Sequence, residues 1–288
     1  MSRIAIIADI HANLPALEAV LRDIEQVGPD EIVVAGDLVG RGPQGSAVVK
    51  RVRDLGCVVI RGNHEDYLLS FRRHEVPEEW LSTPEWACSR WMAAELDAQD
   101  ADFLDSLPFT AVPLTEPRLR VVHGSPESYN EGLGSWTDDH RILEHLDSID
   151  ESALACAHTH RPMTWRFGER FVINVGSVGL PFNADPRAQY ALVWFDRGWK
   201  HELRQVEYDR NETANVYRTS GFLEHGGATA YLLERELHSA RPHLVPFLKW
   251  AEALERQPVM DEVGEFLQFF DPKLSMRELW EKLQALPK

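Results

Sequence analysis

The chain has 288 residues, of which 44% are hydrophobic and 26% charged, ordinary values for a globular protein able to bury a full core. Its formal net charge of −16 repels phosphate backbones and argues against broad nucleic-acid binding, while leaving room for a small phosphorylated substrate held by bound cations. No apolar run approaches the length of a membrane span or a signal-peptide core, and Cys57, Cys88 and Cys156 are odd in number and far apart, which predicts free thiols in a cytoplasmic protein.

Ile4–Ala8 reads as a strand that runs into Asp9-Ile10-His11. Leu17, Val20, Leu21, Ile24 and Val27 then recur at helical spacing, with Asn13 as N-cap, Pro15 in the first turn and Gly28-Pro29 as the stop. The next strand, Ile32–Ala35, ends at Gly36-Asp37. Ala47, Val48, Val52 and Leu55 mark a second helix, and the strand Val58–Ile60 leads to Gly62-Asn63-His64. Strand, helix, strand, helix, strand implies parallel pairing, and such sheets collect ligands at the carboxyl ends of their strands.

Residues from about 65 to 107 read as helical and carry Trp80, Trp86, Trp91 and Phe103. Packing between helices is the preferred reading of these tryptophans, ahead of stacking on a base. From Phe109 to Glu207 short strands dominate. Leu119–Val122 ends at His123-Gly124, and Ala153–Ala157 ends at His158-Thr159-His160. Turn signals at Phe167-Gly168-Glu169 and Asp196-Arg197-Gly198 predict hairpins and a second, mostly antiparallel sheet. Beyond Tyr208 the pattern is helical, through Leu232–Ala240, Val245–Leu254, Val263–Phe270 and Met276–Leu286. These helices are expected to cover the cleft or pack on the second sheet; a partner or homo-oligomer surface is the alternative.

Metal-binding side chains thus close five strands in succession. Imidazole and carboxylate without thiolate suit Mn²⁺, Fe²⁺ or Zn²⁺. Two ions about 3.5–4 Å apart need a shared ligand, and Asp37 can bridge because a carboxylate offers two oxygens. Water held between two cations yields hydroxide near neutral pH, able to attack an electrophile in line with its leaving group. His64, beside Asn63, can point across the cleft and protonate the departing oxygen or hold a phosphate oxygen.

In order, Asp-x-His, Gly-Asp, Gly-Asn-His-Glu, His-Gly and His-x-His span residues 9 to 160. With this series the chain resembles the calcineurin-like metallophosphoesterase superfamily. The string from Ala35 to Pro43 is similar to its small prokaryotic phosphodiesterase branch. The resemblance implies a four-layer αββα sandwich of two mixed sheets flanked by helices. Residues 1–207 would form the metallophosphoesterase domain with its helical insertion at about 65–107, and 208–288 a helical C-terminal extension. It further implies one ion on Asp9, His11, Asp37 and His160, a second on Asp37, Asn63, His123 and His158, and His64 as the catalytic histidine. Arg41 matches the phosphate-holding arginine of that pattern, and a planar fork suits phosphate oxygens; Arg161 is a second candidate for substrate contact. Protein phosphatases and symmetrical dinucleoside-tetraphosphate hydrolases of the superfamily carry a second aspartate where this chain has Gly40. The carboxylate that would support the catalytic histidine is therefore missing. Ala157 also stands where a glycine is usual.

The reading that follows is a phosphoesterase of small-molecule phosphodiesters or phosphoanhydrides, using hydroxide held by two divalent ions. A nucleotidase or diadenosine-tetraphosphate hydrolase is the runner-up, ahead of a phosphoprotein phosphatase or a non-catalytic scaffold. Glu65 is read as a first-turn helix residue favoured by the dipole, Ser125 as the start of a loop, and His225 before Gly226-Gly227 as a capping or hinge residue. The remaining histidines have no ligand partner at a suitable spacing.

Overall fold

The computed structural model describes residues 2–113, 116–274 and 276–284. Its strands are β1 (Arg3–Ile7), β2 (Glu31–Val34), β3 (Val58–Val59), β4 (Thr110–Ala111), β5 (Leu119–Val122), β6 (Ala153–Cys156), β7 (Met163–Phe167), β8 (Arg170–Asn174), β9 (Ala188–Phe195) and β10 (Trp199–Val206). Helices α1 (Leu14–Val27) and α2 (Gly45–Leu55) connect the first three strands. Helices α3 (Asn63–Arg73), α4 (Ala87–Glu95) and α5 (Ala98–Ser106) lie in the stretch expected as an insertion, and α6 (Asp139–Asp147) precedes β6. Asn13 caps α1 by accepting the Ala16 N–H at 3.2 Å, and Gly28 ends it at φ +62°, the left-handed geometry that glycine takes without strain.

One sheet runs β10-β9-β1-β2-β3 and the other β4-β5-β6-β8-β7. β1, β2 and β3 are parallel, as their helical connections require. The second sheet differs from the expected antiparallel one. Its central strands β5, β6 and β8 are parallel, only β4 and β7 run against them, and the hairpin β9–β10 joins the first sheet instead. The reason is burial. β1 leaves one edge open, and β9 is apolar on both faces, Tyr190 and Leu192 toward the helices and Ala191 and Val193 toward the other sheet. A strand buried on both sides fits beside β1, and hairpin signals do not say which sheet a hairpin enters.

Alternation sorts β1 into two cores. Ile4, Ile6 and Ala8 meet Leu119, Val121, Ala155 and Ile173 between the sheets, while Ala5 and Ile7 meet Leu17, Val20 and Val48 under the helices. Ile142 and Leu146 of α6 cover the outer face of the second sheet on Leu154, Cys156 and Val172. Helix, sheet, sheet and helix therefore form four layers, two mixed sheets flanked by helices.

The C-terminal helices are α7 (Arg210–Thr219), α8 (Phe222–Ser239), α9 (Leu244–Ala253), α10 (Met260–Phe269) and α11 (Met276–Gln284). They do not pack on the second sheet. Ala214, Tyr217, Phe222, Leu233 and Leu237 join the helical core of the first sheet, and Leu232, Phe247, Trp250 and Phe266 build a smaller core of their own. Residues 285 and 286, expected to extend the last helix, lie outside the described residues. Gly227, at φ +56° and ψ −133°, kinks α8, the hinge anticipated beside His225. Insertion and extension meet where Cys88 of α4 lies 3.0 Å from the Thr229 hydroxyl of α8. Trp80 and Trp86 stack on each other at 3.9 Å and Trp91 meets Phe222 at 5.3 Å, the packing role expected. The cysteines are free, and no described helix is long and apolar enough to cross a membrane.

Candidate metal centre

The expected ligands sit past strand ends, Asn63 as the first residue of α3 and the others in loops, several of whose backbones extend the sheets. Asp9 N–H donates to the Gly36 carbonyl at 3.1 Å, His11 N–H to that of Asp37 at 3.0 Å, and Ala157 N–H to that of His123 at 2.8 Å. Asp9, His11, Asp37, His158 and His160 all take φ between +49° and +65°, the left-handed region that costs a non-glycine residue on the order of 1–3 kcal/mol. Strain of this kind, repeated around one point, is characteristic of a site whose neighbours hold it open.

Asp9, His11, Asp37 and His160 converge with ligand atoms within 4.8 Å of one another, all buried. His11 donates from Nδ1 to the Val39 carbonyl at 3.2 Å and His160 from Nδ1 to the Leu180 carbonyl at 2.5 Å. In neutral rings this fixes Nε2 of both as lone pairs, and the two Nε2 atoms face each other at 3.0 Å. Asp9 Oδ1, also buried, lies 3.4 Å from His160 Nε2 and has no hydrogen-bond partner. Opposed lone pairs beside an orphaned carboxylate oxygen repel unless a cation lies among them.

The second group is built alike. His123 donates from Nδ1 to the Ala35 carbonyl at 2.8 Å, which turns Nε2 toward Asn63 Oδ1 at 3.0 Å and Asp37 Oδ2 at 3.4 Å. His158 Nδ1 lies 2.9 Å from the same Asn63 oxygen. Asp37 Oδ2 is also 3.6 Å from His11 Nε2, so one carboxylate faces both groups. Burial holds His11 and His160 well below the ordinary imidazole range. Burial acts the same way on His123, yet Asp37 and Asp9 push it up to about 10.

His64 stands apart from these ligands. It lies in the first turn of α3, its N–H donates to Asp37 Oδ1 at 2.9 Å, and its ring lines the adjoining cleft. Arg41 donates from Nε to His64 Nε2 at 3.3 Å and from Nη1 to Glu236 of α8 at 3.3 Å. Burial lowers His64 to about 3, and Arg41 acts in the same direction. Gly40, the departure noted in the sequence, has φ +81°, and a Cβ there would collide with His64 Nδ1. The glycine makes room for the ring. Arg161 donates from Nε to the Phe182 carbonyl at 2.9 Å, its guanidinium lies over Trp136, and Phe182 stacks on His160 at 4.6 Å.

Three residues support the site without having been read as part of it from the sequence. Glu65 is fully buried and accepts four backbone N–H groups: Asp37 at 2.9 Å and Gly62 at 2.7 Å on one oxygen, Leu38 at 2.8 Å and Val39 at 3.3 Å on the other. It binds two ligand loops together and is more than a helix-dipole residue. Its place in Gly-Asn-His-Glu was the available signal. Asn174, buried at the end of β8, donates to the Ala157 carbonyl at 2.7 Å and to Thr159 Oγ1 at 2.9 Å, fixing the His158-Thr159-His160 loop. Glu236 carries no local signal, because Arg41 is 195 residues away.

Buried imidazoles and carboxylates at the rim between two mixed sheets define a metal-binding α/β protein. The chain belongs to the calcineurin-like phosphoesterase family, whose model matches residues 2–174. It is 26% identical over 206 residues to the phosphodiesterase YfcE of Escherichia coli, covering 67% of this chain and 88% of that one. It is 32% identical over 199 residues to the symmetrical bis(5'-nucleosyl)-tetraphosphatase of Psychromonas ingrahamii, covering 65% and 67%. The crystal structure of a metallophosphoesterase from Sphaerobacter thermophilus superposes with a TM-score of 0.66 at 30% identity, over 83% of this chain and 99% of that one.

Proposed function

We propose that this chain hydrolyses phosphodiesters or phosphoanhydrides of small molecules with two divalent ions, Mn²⁺, Fe²⁺ or Zn²⁺, bound at the strand ends. The observation that carries the reading is the pair of His11 and His160 lone pairs facing each other at 3.0 Å beside the partnerless Asp9 Oδ1. Nitrogen and oxygen donors of this kind fit those ions, with Asp9, His11, Asp37 and His160 holding one and Asp37, Asn63, His123 and His158 the other. The ions supply Lewis acidity that polarises the phosphoryl group and acidifies water.

The rest falls to the chain's own groups. His64, beside the candidate ligands and on the cleft, protonates the departing oxygen or holds a phosphate oxygen, and a ring kept neutral by burial suits the second role, donating a hydrogen bond. Arg41 contacts the phosphate with the part of its guanidinium not engaged by Glu236. Arg161 is the second candidate for substrate contact, with its Nε held by the Phe182 carbonyl. Residues 1–207, with the insertion at about 65–107, form the catalytic domain and 208–288 the extension that walls it.

Replacing Asp37 by Asn and following bis-p-nitrophenyl phosphate turnover in Mn²⁺ tests the mechanism. A loss of a hundredfold or more is expected, on the order of that from removing a group that stabilises transition-state charge; wild-type turnover would rule the mechanism out. His64→Ala should depress the rate while the manganese content stays near that of the wild type. Loss of metal in that variant would make His64 a ligand instead.

A further inference from the structure

Beside the candidate metal centre lies a cleft of about 430 Å³ that Arg41, Asn63, His64 and His158 enter at its inner end. Its walls come from two helical segments far apart in the chain, residues 65–107 and 208–288. Trp86 and Met92 belong to the insertion, and Leu233, Leu244, Val245 and Leu248 to the C-terminal extension. A volume of this size suits one small organic group.

The charges of the cleft restrict that group. Arg41 and Glu85 are the oppositely charged side chains that line it, together with His64 and His158. Arg41 is already paired with Glu236, which is fully buried behind it. Arg41, the one guanidinium among the described residues lining the cleft, is thus ion-paired already and faces the metal centre end, leaving the rest of the cleft without a cation for a second phosphate or a carboxylate. An anion there would exchange its hydration for neutral partners alone, Tyr67, Ser89, Asn130 and Thr229, beside the like charge of Glu85, whereas an apolar group would remove Leu244, Val245 and Leu248 from water. His64 lies at the junction, so the group in the cleft is the one attached to the oxygen that departs beside His64.

We infer that the cleft formed by the insertion and the C-terminal helices is the leaving-group pocket, and that it selects phosphate esters whose leaving group is uncharged and largely apolar. The inference rests on the phosphoesterase reading for the direction of attack, but the selectivity can be measured without turnover. Phenylphosphonate and methylphosphonate share one anionic head, and phosphonoacetate adds a carboxylate to it. Each is titrated by calorimetry into the manganese-loaded full chain, wild type and Val245→Glu, a substitution at a residue 39% exposed that the fold accommodates.

Wild type should bind phenylphosphonate at least about tenfold more tightly than methylphosphonate, the discrimination typical of an apolar pocket, and phosphonoacetate no more tightly than methylphosphonate. In Val245→Glu the phenyl-to-methyl ratio should fall toward one, and Leu248→Ala should reduce it as well. Equal binding of phenyl and methyl heads by wild type, tightest binding of phosphonoacetate, or a ratio unchanged in both variants would each overturn the inference. If the phenyl preference depends on Val245 but wild type hydrolyses no phosphate ester, the pocket stands and the catalytic reading falls.

Discussion

Replacing Glu65 by Gln probes how much of the site is held by one side chain. The carboxylate accepts four backbone N–H groups from the loops that carry Asp37 and Asn63. Glutamine keeps one acceptor oxygen and points an NH₂ at the two donors on the other side. Two buried N–H groups then lose their partner at about 1–3 kcal/mol each, and the remaining two bonds lose the assistance of charge. The sum, about 3–6 kcal/mol, is a large part of the roughly 5–15 kcal/mol that stabilises a typical domain. Burial and the Asp37 carboxylate push Glu65 up to about 7, so the comparison belongs above that pH, where the wild-type group is ionised. Urea denaturation of the metal-free protein should show a lower midpoint with an unchanged slope, and manganese content should drop because Asp37 and Asn63 lose their common anchor. A wild-type midpoint together with full metal content would refute the four-bond argument.

Gly40→Asp restores the aspartate of protein phosphatases but forces a side chain into φ +81° and against His64. Turnover of bis-p-nitrophenyl phosphate should fall on the order of a hundredfold, the effect of displacing a reacting group by about 1 Å; a faster enzyme would contradict the steric account. Glu236→Gln keeps an oxygen for the His243 and Leu244 N–H groups yet removes the charge facing Arg41. It should lower kcat/KM about tenfold, the loss of one charge-assisted bond, with metal content unchanged, and an unaltered kcat/KM would cut that link. Arg141, then Ser125, hold the Glu131 carboxyl down to about 2 from an ordinary 4.5. Because the folded value is the lower one, its stabilising share is complete above 4.5 and is lost as pH falls toward 2. The difference in thermal stability between wild type and Arg141→Met should shrink over that window, and a pH-independent difference would show that Glu131 is not the titrating partner.

The candidate ligands were legible because each lies within a few residues of an apolar strand, so local pattern and strand-end chemistry coincide. Asp9, Asp37, His123, His158 and His160 needed only short-range reading to be placed at one rim. The sheet that receives β9 and β10 was not legible, since Tyr190, Leu192, Ala191 and Val193 satisfy burial on either sheet and only the open edge of β1 decides. Glu236 was hidden for another reason. Its meaning comes from a guanidinium far away in the chain, and no periodicity encodes a contact between a loop after β2 and a C-terminal helix. Gly40 was read as a loss, although its backbone angle and the ring beside it make it a requirement.

The contact of Cys88 with Thr229 and with the Gly226 carbonyl, at 3.0 and 3.9 Å, joins two segments that the chain supplies separately. Chimaeras that transplant only one of them onto a bare family scaffold would leave half a clamp. Any recombination or design that aims to carry over substrate preference has to move both pieces together, with Arg41 and Glu236 kept as a matched pair.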